Sequence, residues 1–555
     1  MMNELSIGIA QINPKVGDVI GNIELLKKAV SSIGSKPDLV VTGELSISGY
    51  PPEDLVLKPS FIDLIEKEVG KLASETKTGP ALLLGTPWRE EGKLYNAALL
   101  LKNGVIENKR FKHHLPTYGV FDEDRVFDKG EVQGPIDFNG VRLGVMICED
   151  MWSPDIPESL QEMGAEILIA LNGSPFEIDK MDRRMNLAVA RVTECNLPLV
   201  YVNLVGGQDE LVFDGSSFVL NSDRNLKVLL QPWESQLVIT DWKKESSQWL
   251  CMTDSVAPEL KTDNEKLFHI YQAMILGLRD YVSKNNFPGI VLGLSGGVDS
   301  ALSAAIAVDA IGPAKVHCVM MPSPYTSDAS IKDALQLTKT LGINYQTIPI
   351  NDIMSSCDKS LLDTFAGTEK DTTEENIQSR IRGLIIMSIS NKFGYLALTT
   401  GNKSEMSVGY ATLYGDMCGG FSVLKDLYKT TIFDVCRWRN LNKPPGSLGK
   451  QDKVIADQII EKKPSAELRP NQFDEDSLPK YEILDDILKH LVEGESAIDE
   501  VVDIGHEEET VRRIWKLLDR AEYKRRQAPP GVKISSRAFG KDRRYPITNG
   551  YSDLL

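Results

Sequence analysis

The chain has 555 residues, a length at which two or more domains are expected, and 42% of its residues are hydrophobic, as in ordinary globular proteins. The net charge of −17, from 79 acidic and 62 basic residues, argues against a general nucleic-acid-binding or membrane-surface role, because phosphate groups are bound by basic surfaces. Seven scattered cysteines, the lack of a signal-peptide pattern and the lack of a long apolar run predict a soluble cytoplasmic protein with free thiols.

In the first 245 residues, short apolar stretches typical of β-strands alternate with segments of helical periodicity. One such segment predicts a helix over 22–33. Such alternation indicates layers of helices and sheets, and so an α/β fold. The predicted strands are 5–13, 38–44, 81–87, 95–101, 141–148, 167–174 and 199–206, followed by closing strands at 216–221 and 235–243.

A change of character divides the chain, because residues 246–264 are polar, acidic and irregular. We interpret them as a linker between a first domain, 1–245, and a second domain, 265–555. The second domain begins with a predicted helix over 265–285 and ends in a helical region and a basic tail. Its clearest strands lie in 290–311, 315–322 and 395–402, and the Pro/Gly-rich stretch 442–450 predicts a mobile loop.

A glycine-rich turn follows the first strand of the second domain and precedes a helix of small residues. Glycines allow backbone N–H groups to surround an anion, and a helix N-terminus adds positive potential. No lysine follows the glycines, so the turn is not a Walker P-loop. Asp299 within it indicates a divalent metal bridging phosphates, although a simple capped turn is the alternative. The turn consists of Gly293, Leu294, Ser295, Gly296, Gly297, Val298, Asp299 and Ser300.

This turn resembles the pyrophosphate loop of the N-type ATP pyrophosphatases, which have a Rossmann-like α/β fold. The segments 375–383, 396–421, 424–430, 464–479 and 524–535 narrow the resemblance to the NAD synthetase family. It implies that residues 293–300 and Thr400 bind ATP and that Asp299 and Glu405 hold Mg²⁺. It also implies deamido-NAD-binding residues, and Lys425 and Lys429 are candidates for neutralising phosphate. Arg380, Lys425 and Lys429 could each instead be ordinary surface charge. The implied deamido-NAD-binding residues are Asn376, Arg380, Glu405 and Lys524.

Three residues of the first domain stand near strands in a pattern that suggests nucleophilic catalysis. Glu44 comes just after the apolar residues of the strand 38–44, Lys112 precedes a His-His-Leu-Pro turn, and Cys148 ends the strand 141–148. A thiol needs a nearby base to become a nucleophile, and an ammonium can stabilise the oxyanion that it forms. Alone, Cys148 could be a buried core residue, and Glu44 and Lys112 could be a structural ion pair. His113 and His114 have no further ligand nearby in sequence, which favours a structural role over a metal site.

This trio resembles the Glu-Lys-Cys constellation of the nitrilase, or carbon–nitrogen hydrolase, superfamily, which has an α-β-β-α sandwich fold. The resemblance covers about residues 5–240 and includes the segments 171–184 and 206–218. It implies that Glu44, Lys112 and Cys148 release ammonia from glutamine. It also implies glutamine-binding roles for three residues, which are Tyr118, Ser174 and Lys180.

Together the two resemblances predict a glutamine-hydrolysing ligase that adenylates deamido-NAD with Mg-ATP and amidates it with ammonia. The synthetase resemblance also implies a dimer or larger homo-oligomer, and the acidic net charge predicts no nucleic-acid or membrane partner. The alternatives are another glutamine-dependent ATP-pyrophosphatase amidotransferase and a nucleotide-sensing protein that has lost catalysis. Analysis of the products that the protein forms from deamido-NAD and from XMP would test the first alternative. The second is disfavoured because the chain keeps all five residues that the chemistry needs, which are Glu44, Lys112, Cys148, Asp299 and Glu405.

Overall fold

A computed structural model describes residues 3–256 and 265–551. The chain splits into two compact units whose boundary falls between these two stretches, and each unit is described separately. In the part of the chain that the structure describes, no helix is both long and apolar enough to cross a membrane.

Unit 1 contains two seven-stranded sheets, with strand orders β15-β14-β1-β2-β3-β4-β5 and β16-β13-β12-β9-β8-β7-β6, and a small β10-β11 hairpin. Its elements in chain order are β1 (Glu4–Gln11), α1 (Val19–Ser31), β2 (Leu39–Thr42), α2 (Pro59–Glu75), β3 (Ala81–Glu90), β4 (Lys93–Lys102), β5 (Val105–Phe111), β6 (Ile136–Phe138), β7 (Val141–Ile147), α3 (Asp155–Glu162), β8 (Ile167–Asn172), α4 (Lys180–Cys195), β9 (Leu199–Asn203), β10 (Val205–Gln208), β11 (Leu211–Asp214), β12 (Phe218–Leu220), β13 (Leu226–Leu229), β14 (Gln236–Glu245), β15 (Gln248–Cys251) and β16 (Ser255–Val256).

The two large sheets pack face to face, and helices cover their outer faces. In β2, Leu39 and Val41 point into the core between the sheets, whereas Val40 packs on the side of α1 and α2. In β8, Ile169 also lies between the sheets, and Ala170 packs on the side of α3 and α4. Strand side chains alternate between faces, so a strand buried on both faces is apolar throughout. The predicted α-β-β-α sandwich is confirmed.

Part of the segment interpreted as a linker belongs instead to the sheets of unit 1. Residues 248–251 form β15, which pairs antiparallel with β14, and 255–256 form β16 beside β13. Trp249 and Cys251 are buried while Gln248 is exposed, so this short stretch has strand periodicity within a polar context. Residues 257–264, the rest of the segment, lie outside the described residues.

Unit 2 contains one parallel sheet with strand order β19-β18-β17-β20-β21. Its elements in chain order are α5 (Glu265–Lys284), β17 (Ile290–Gly293), α6 (Val298–Ile311), β18 (Val316–Met320), α7 (Asp328–Leu341), β19 (Asn344–Thr347), α8 (Asn351–Leu361), α9 (Thr372–Phe393), β20 (Leu396–Thr399), α10 (Lys403–Val408), β21 (Phe421–Ser422), α11 (Lys429–Leu441), α12 (Asp457–Glu461), α13 (Tyr481–Val492), α14 (Ile498–Asp503), α15 (Glu508–Arg520) and α16 (Glu522–Arg525).

The strand order of unit 2 reverses at β17. The chain runs outward from β17 through β18 to β19 and then returns to place β20 on the other side of β17. In open parallel sheets, ligands bind at the carboxyl ends of the strands beside such a switch point. The predicted Rossmann-like fold is confirmed, and the glycine-rich turn after β17 lies at this position.

The stretch 442–450, predicted as a mobile loop, is held against helix α6. Ser447 Oγ donates to Asp309 Oδ1 at 2.7 Å, and Leu448 N donates to Asp309 O at 2.9 Å. Arg439 also binds the Asp309 carboxylate and donates to Lys450 O at 2.7 Å. The buried Asp309 carboxylate therefore anchors the end of this stretch, and its mobility stays a prediction.

Candidate active sites

Glu44, Lys112 and Cys148 lie at the ends of three different strands of unit 1. Glu44 follows β2, Lys112 directly follows β5, and Cys148 directly follows β7. The side chains of Glu44 and Lys112 are completely buried, and Cys148 is 4% exposed. The fold therefore places a carboxylate, an ammonium and a thiol in the interior of one unit.

Glu44 is held by three hydrogen-bond donors. Its Oε1 accepts from Lys112 Nζ and from Asn96 Nδ2, both at 2.7 Å, and its Oε2 accepts from Gly173 N at 2.8 Å. These bonds fix the orientation of the carboxylate inside the protein.

A second carboxylate, Glu123, also binds Lys112, with 2.8 Å from Nζ to Oε2. Its Oε1 accepts from Tyr50 at 2.8 Å. Burial pulls the pKa of Lys112 down, but Glu123 and Glu44 outweigh it and hold that pKa well above its ordinary value. Lys112 is therefore a permanent cation. The sequence analysis missed Glu123 because it stands among several acids of an irregular segment, with nothing local to distinguish it.

Cys148 sits on a strained turn at the mouth of β7, with φ +48°. Burial, together with the negative charge of Glu44, raises the pKa of its thiol well above the ordinary value. Asp150 fixes the turn, since its carboxylate accepts from Ile147 N at 3.1 Å and from the backbone N–H groups of His113 and His114 at 2.9 and 2.8 Å. The thiol is therefore neutral at rest and is held in a defined position.

The three predicted substrate-binding residues of unit 1 differ in their surroundings. Tyr118 is 55% exposed and donates to both oxygens of Glu149, the residue after Cys148, at 3.0 Å. Lys180 is buried, with its Nζ 5.6 Å from the centre of the Phe121 ring. Tyr118 also packs edge-on against Phe121, so these two residues share one neighbour.

Ser174 is buried and bonded to the structural framework of unit 1. Its Oγ accepts from Arg184 Nε at 3.0 Å, and its backbone N–H donates to Asn203 at 2.9 Å. Arg184 in turn forms a two-point ion pair with Asp214. A direct role of the Ser174 side chain in binding a ligand stays a prediction.

The second site is a cavity of about 550 Å³ in unit 2. It opens at the switch point, where the predicted phosphate loop, Thr400 and the first residues of α10 meet. Seven of the eight residues 293–300 line it, and Gly296 does not. Gly296 has φ +82°, and a Cβ there would lie 2.3 Å from Ser330 O, so no other residue fits.

Two carboxylates in this cavity face one ammonium. Lys429 Nζ lies 2.5 Å from Asp299 Oδ2 and 3.3 Å from Glu405 Oε1. Asn402, the N-cap of α10, donates to Asp299 Oδ1 at 2.9 Å and accepts from the Glu405 backbone N–H at 3.0 Å. Burial and the charge of Asp299, only partly offset by Lys429, raise the pKa of Glu405 to about 8. Asp474, buried nearby and bonded to Tyr481, also lines the cavity and was missed by sequence reasoning.

The predicted deamido-NAD-binding residues are not all in the cavity. Asn376 lines it and accepts from Thr412 Oγ1 at 2.8 Å, and Lys524 lines it and donates to two backbone carbonyls. Arg380 is exposed, is not among the lining residues, and donates to Leu413 O at 3.2 Å.

Arg382, which sequence reasoning did not assign to the site, does line the cavity, together with Ser379 and Ile386 of the same helix. These positions are three and four residues apart and share one helix face, which Arg380 does not. Burial lowers the pKa of Arg382 to about 10, which leaves the guanidinium charged at neutral pH.

Comparisons with known proteins agree with this division. The carbon-nitrogen hydrolase family model matches residues 6–249, and the NAD synthase model matches 270–528. The chain is 47% identical to a glutamine-dependent NAD(+) synthetase of Rhodobacter capsulatus over 555 residues, which cover 100% of both chains. The solved structure of the Acinetobacter baumannii glutamine-dependent NAD+ synthetase in complex with ADP is 39% identical and covers 99% of each chain, with a TM-score of 0.77. A synthetase structure from Cytophaga hutchinsonii, 21% identical and covering 99% of this chain and 98% of its own, shares the fold with a TM-score of 0.79.

Proposed function

The chain belongs to the glutamine-dependent NAD(+) synthetases, and from this premise we propose which residues perform each half of the reaction. Unit 1 hydrolyses glutamine to glutamate and ammonia. Unit 2 uses ATP to adenylate deamido-NAD, releasing pyrophosphate, and ammonia then displaces AMP to give NAD. The observation that carries the assignment is the buried 2.7 Å contact between Lys112 and Glu44 beside Cys148.

Glu44 acts as the general base toward Cys148. Because the pKa of the thiol is well above neutral, the proton must leave as sulfur attacks the carboxamide carbon of glutamine, and Glu44 is the base that the strand ends bring to it. Glu44 then returns the proton to the departing ammonia and activates the water that hydrolyses the thioester. Asn96 and Gly173 keep its carboxylate oriented through this cycle.

Lys112 stabilises the oxyanion that forms on the carboxamide oxygen. Its pKa is held well above the ordinary value, so the ammonium stays charged. It is also buried away from water, and an ammonium stabilises developing negative charge most effectively in such an environment. Glu123 acts as a positioning residue, because it binds the ammonium as a second carboxylate beside Glu44. Tyr118, Ser174 and Lys180 are assigned to glutamine binding from the resemblance.

In unit 2, residues 293–300 and Thr400 are assigned to ATP. The residues assigned to deamido-NAD are Asn376, Glu405 and Lys524. Arg382 replaces Arg380 in this assignment, because of the two arginines only Arg382 lines the cavity. Positioning and neutralisation of charge are the main tasks of such a site.

Asp299 and Glu405 fit a divalent cation such as Mg²⁺, because two carboxylates of one cavity approach a single cationic position that Lys429 now fills. When bound, the ion would neutralise the phosphate oxygens of ATP. Asn402 keeps Asp299 and Glu405 close together, because it donates to the Asp299 carboxylate and accepts from the Glu405 backbone N–H.

We also propose that the protein is cytoplasmic, from its free thiols, and that it forms a dimer or larger homo-oligomer, from its family.

The test compares two nitrogen sources with deamido-NAD, ATP and Mg²⁺ present. Cys148→Ala should abolish NAD formation from glutamine and leave formation from ammonium largely intact, whereas Asp299→Ala should reduce both. Equal loss of both activities in a folded Cys148→Ala protein would contradict the division of roles. Formation of NAD from neither source by the unsubstituted protein would contradict the function itself.

A further inference from the structure

Two histidines and a carboxylate converge on the surface of unit 1, next to the buried glutaminase residues. His113 and His114 directly follow Lys112, and Asp155 begins helix α3, more than forty residues later. One potential ligand atom from each of the three lies within 4.8 Å of the others. Within the described residues, these three side chains form the group of His, Cys, Asp and Glu in which ligand atoms from at least three residues come this close.

A hydrogen bond to the backbone fixes which ring nitrogen of His113 can bind a metal ion. Its Nδ1 lies 2.8 Å from Gly130 O, and only a protonated nitrogen can bond to a carbonyl oxygen. The lone pair of the neutral ring is therefore on Nε2. Metal-ligating histidines commonly donate their other ring N–H to a backbone carbonyl, which fixes the ring and its tautomer.

His114 and Asp155 form the rest of the donor set. His114 Nε2 lies 3.0 Å from Asp155 Oδ2 and 3.1 Å from Oδ1, so a proton now occupies the space between nitrogen and carboxylate. The side chains are 29% and 50% exposed, so an ion can reach them from solvent and keep a water ligand. A cation that replaces the shared proton would satisfy both partners.

We propose that His113, His114 and Asp155 form a Zn²⁺ site with three protein ligands and one open position. Two imidazoles and one carboxylate are a donor set that Zn²⁺ accepts in tetrahedral sites, at about 2.0–2.2 Å per bond. Such bonds place ligand atoms about 3.3 Å apart, so binding draws the three side chains together from their present separation.

Binding at this site acts on the glutaminase residues, an effect that rests on the proposed function. The backbone N–H groups of His113 and His114 both bond to Asp150 Oδ1, and Asp150 Oδ2 accepts from Ile147 N, directly before Cys148. Lys112 is the residue directly before His113. Movement of the histidines toward Asp155 therefore shifts the ammonium and the nucleophile turn, and Zn²⁺ lowers glutamine-dependent activity.

Zn²⁺ binding is measured first, by calorimetry, in the Cys148→Ala protein so that the nucleophile cannot bind the ion. His114→Gln and Asp155→Asn should each remove one equivalent of Zn²⁺ or weaken its binding by at least about tenfold. The matched control is His506→Gln, which breaks a His–Asp pair of 2.8 Å in unit 2 and should leave binding unchanged. Binding that survives both substitutions in unit 1, with thermal unfolding showing that the variants are folded, overturns the proposal.

Activity is measured second, with Zn²⁺ added to the unsubstituted protein and to His114→Gln. Inhibition of the glutamine-dependent reaction that exceeds inhibition of the ammonium-dependent reaction, and that disappears in His114→Gln, supports the regulatory step. Equal inhibition of both reactions overturns that step. Failure of the proposed function is recognised separately, because the zinc-free protein would then form no NAD from either nitrogen source.

Discussion

The ammonium of Lys112 lies 2.7 Å from Glu44 Oε1 and 2.8 Å from Glu123 Oε2, and the side chains of Lys112 and Glu44 are fully buried. One buried ammonium therefore binds two buried carboxyl groups next to Cys148. This arrangement keeps Lys112 charged, and it also makes the position of the ammonium depend on both carboxylates.

Glu123→Gln should therefore lower glutaminase turnover, by about 10²-fold if the ammonium moves by an ångström. The amide can still contact Lys112 but no longer attracts it by charge. NAD formation from ammonium should be unchanged, because Glu123 belongs to unit 1. The control is Glu90→Gln, which changes a partly exposed pair with Lys109 of 2.6 Å. A Glu123→Gln enzyme with normal glutamine-dependent turnover would contradict the positioning role.

Glu44→Gln should lower the pKa of the Cys148 thiol while it abolishes glutaminase activity. The charge of Glu44 is one of the causes that hold this pKa high, and burial, the larger cause, remains in the variant. The rate of iodoacetamide alkylation of Cys148, followed by mass spectrometry from pH 7 to 10, reports the thiolate fraction. Its midpoint should move to lower pH in the variant, because removal of a negative charge favours the thiolate.

A variant whose thiol is more acidic but inactive would show that Glu44 is needed as the general base, and that its effect on the pKa of the thiol is a separate matter. If Glu44→Gln instead raised the pKa of Cys148, Glu44 would not be the charge that faces the thiol.

Gly296→Ala should abolish NAD formation from both nitrogen sources and leave glutamine hydrolysis intact. The added Cβ would lie 2.3 Å from Ser330 O, and the position has φ +82°, so the phosphate loop must move. The matched control is Gly342→Ala, which has φ +73° but open space around the Cβ. The control bears only the backbone strain, about 1 kcal/mol, and should retain synthesis. ATP-dependent activity of the two variants, compared side by side, distinguishes a clash in the loop from strain alone.

Local sequence was sufficient for the long strands and for selecting candidate residues near their carboxyl ends. Cys148 directly follows β7, Glu44 lies two residues after β2, and Asp299 lies in the first turn of α6, after the loop that follows β17. The carboxyl end of a strand is where an α/β fold exposes side chains to a ligand. Strands β15 and β16 were missed because two to four residues show little periodicity within a polar segment.

The partners of those residues could not be predicted, because they depend on tertiary contacts between distant positions. Glu123 meets Lys112 only through the fold, and Asp155 meets His114 only because α3 begins beside the turn after β5. Arg380 and Arg382 could not be separated by composition, since only the orientation of α9 decides which of them lines the cavity.

Lys403→Met should destabilise unit 2 and weaken ATP use together. The Lys403 ammonium is fully buried and lies 2.8 Å from Asp426, 2.5 Å from Glu493 and 2.7 Å from Ser535 Oγ, so it ties the C-terminal tail to the start of α10. Removing one partner of such a buried cluster costs about 3–5 kcal/mol, because the carboxylates lose their counter-ion. Asn402, its neighbour, donates to the Asp299 carboxylate and accepts from the Glu405 backbone N–H. Asp299 and Glu405 are the two residues of the proposed metal site, so kcat/KM for ATP should fall as well.

The control for this prediction is Lys453→Met, which removes a half-exposed ion pair with Asp457 and should change stability by less than about 1 kcal/mol. Urea denaturation, followed by a spectroscopic signal from unit 2, measures the difference in the free energy of unfolding between the two variants. Glutaminase activity shows in the same samples that unit 1 stays folded. Because Lys403 touches neither ATP nor the metal in the proposed site, its effect on catalysis must pass through α10. A Lys403→Met protein as stable and as active as the Lys453→Met protein would show that the tail does not hold this helix in place.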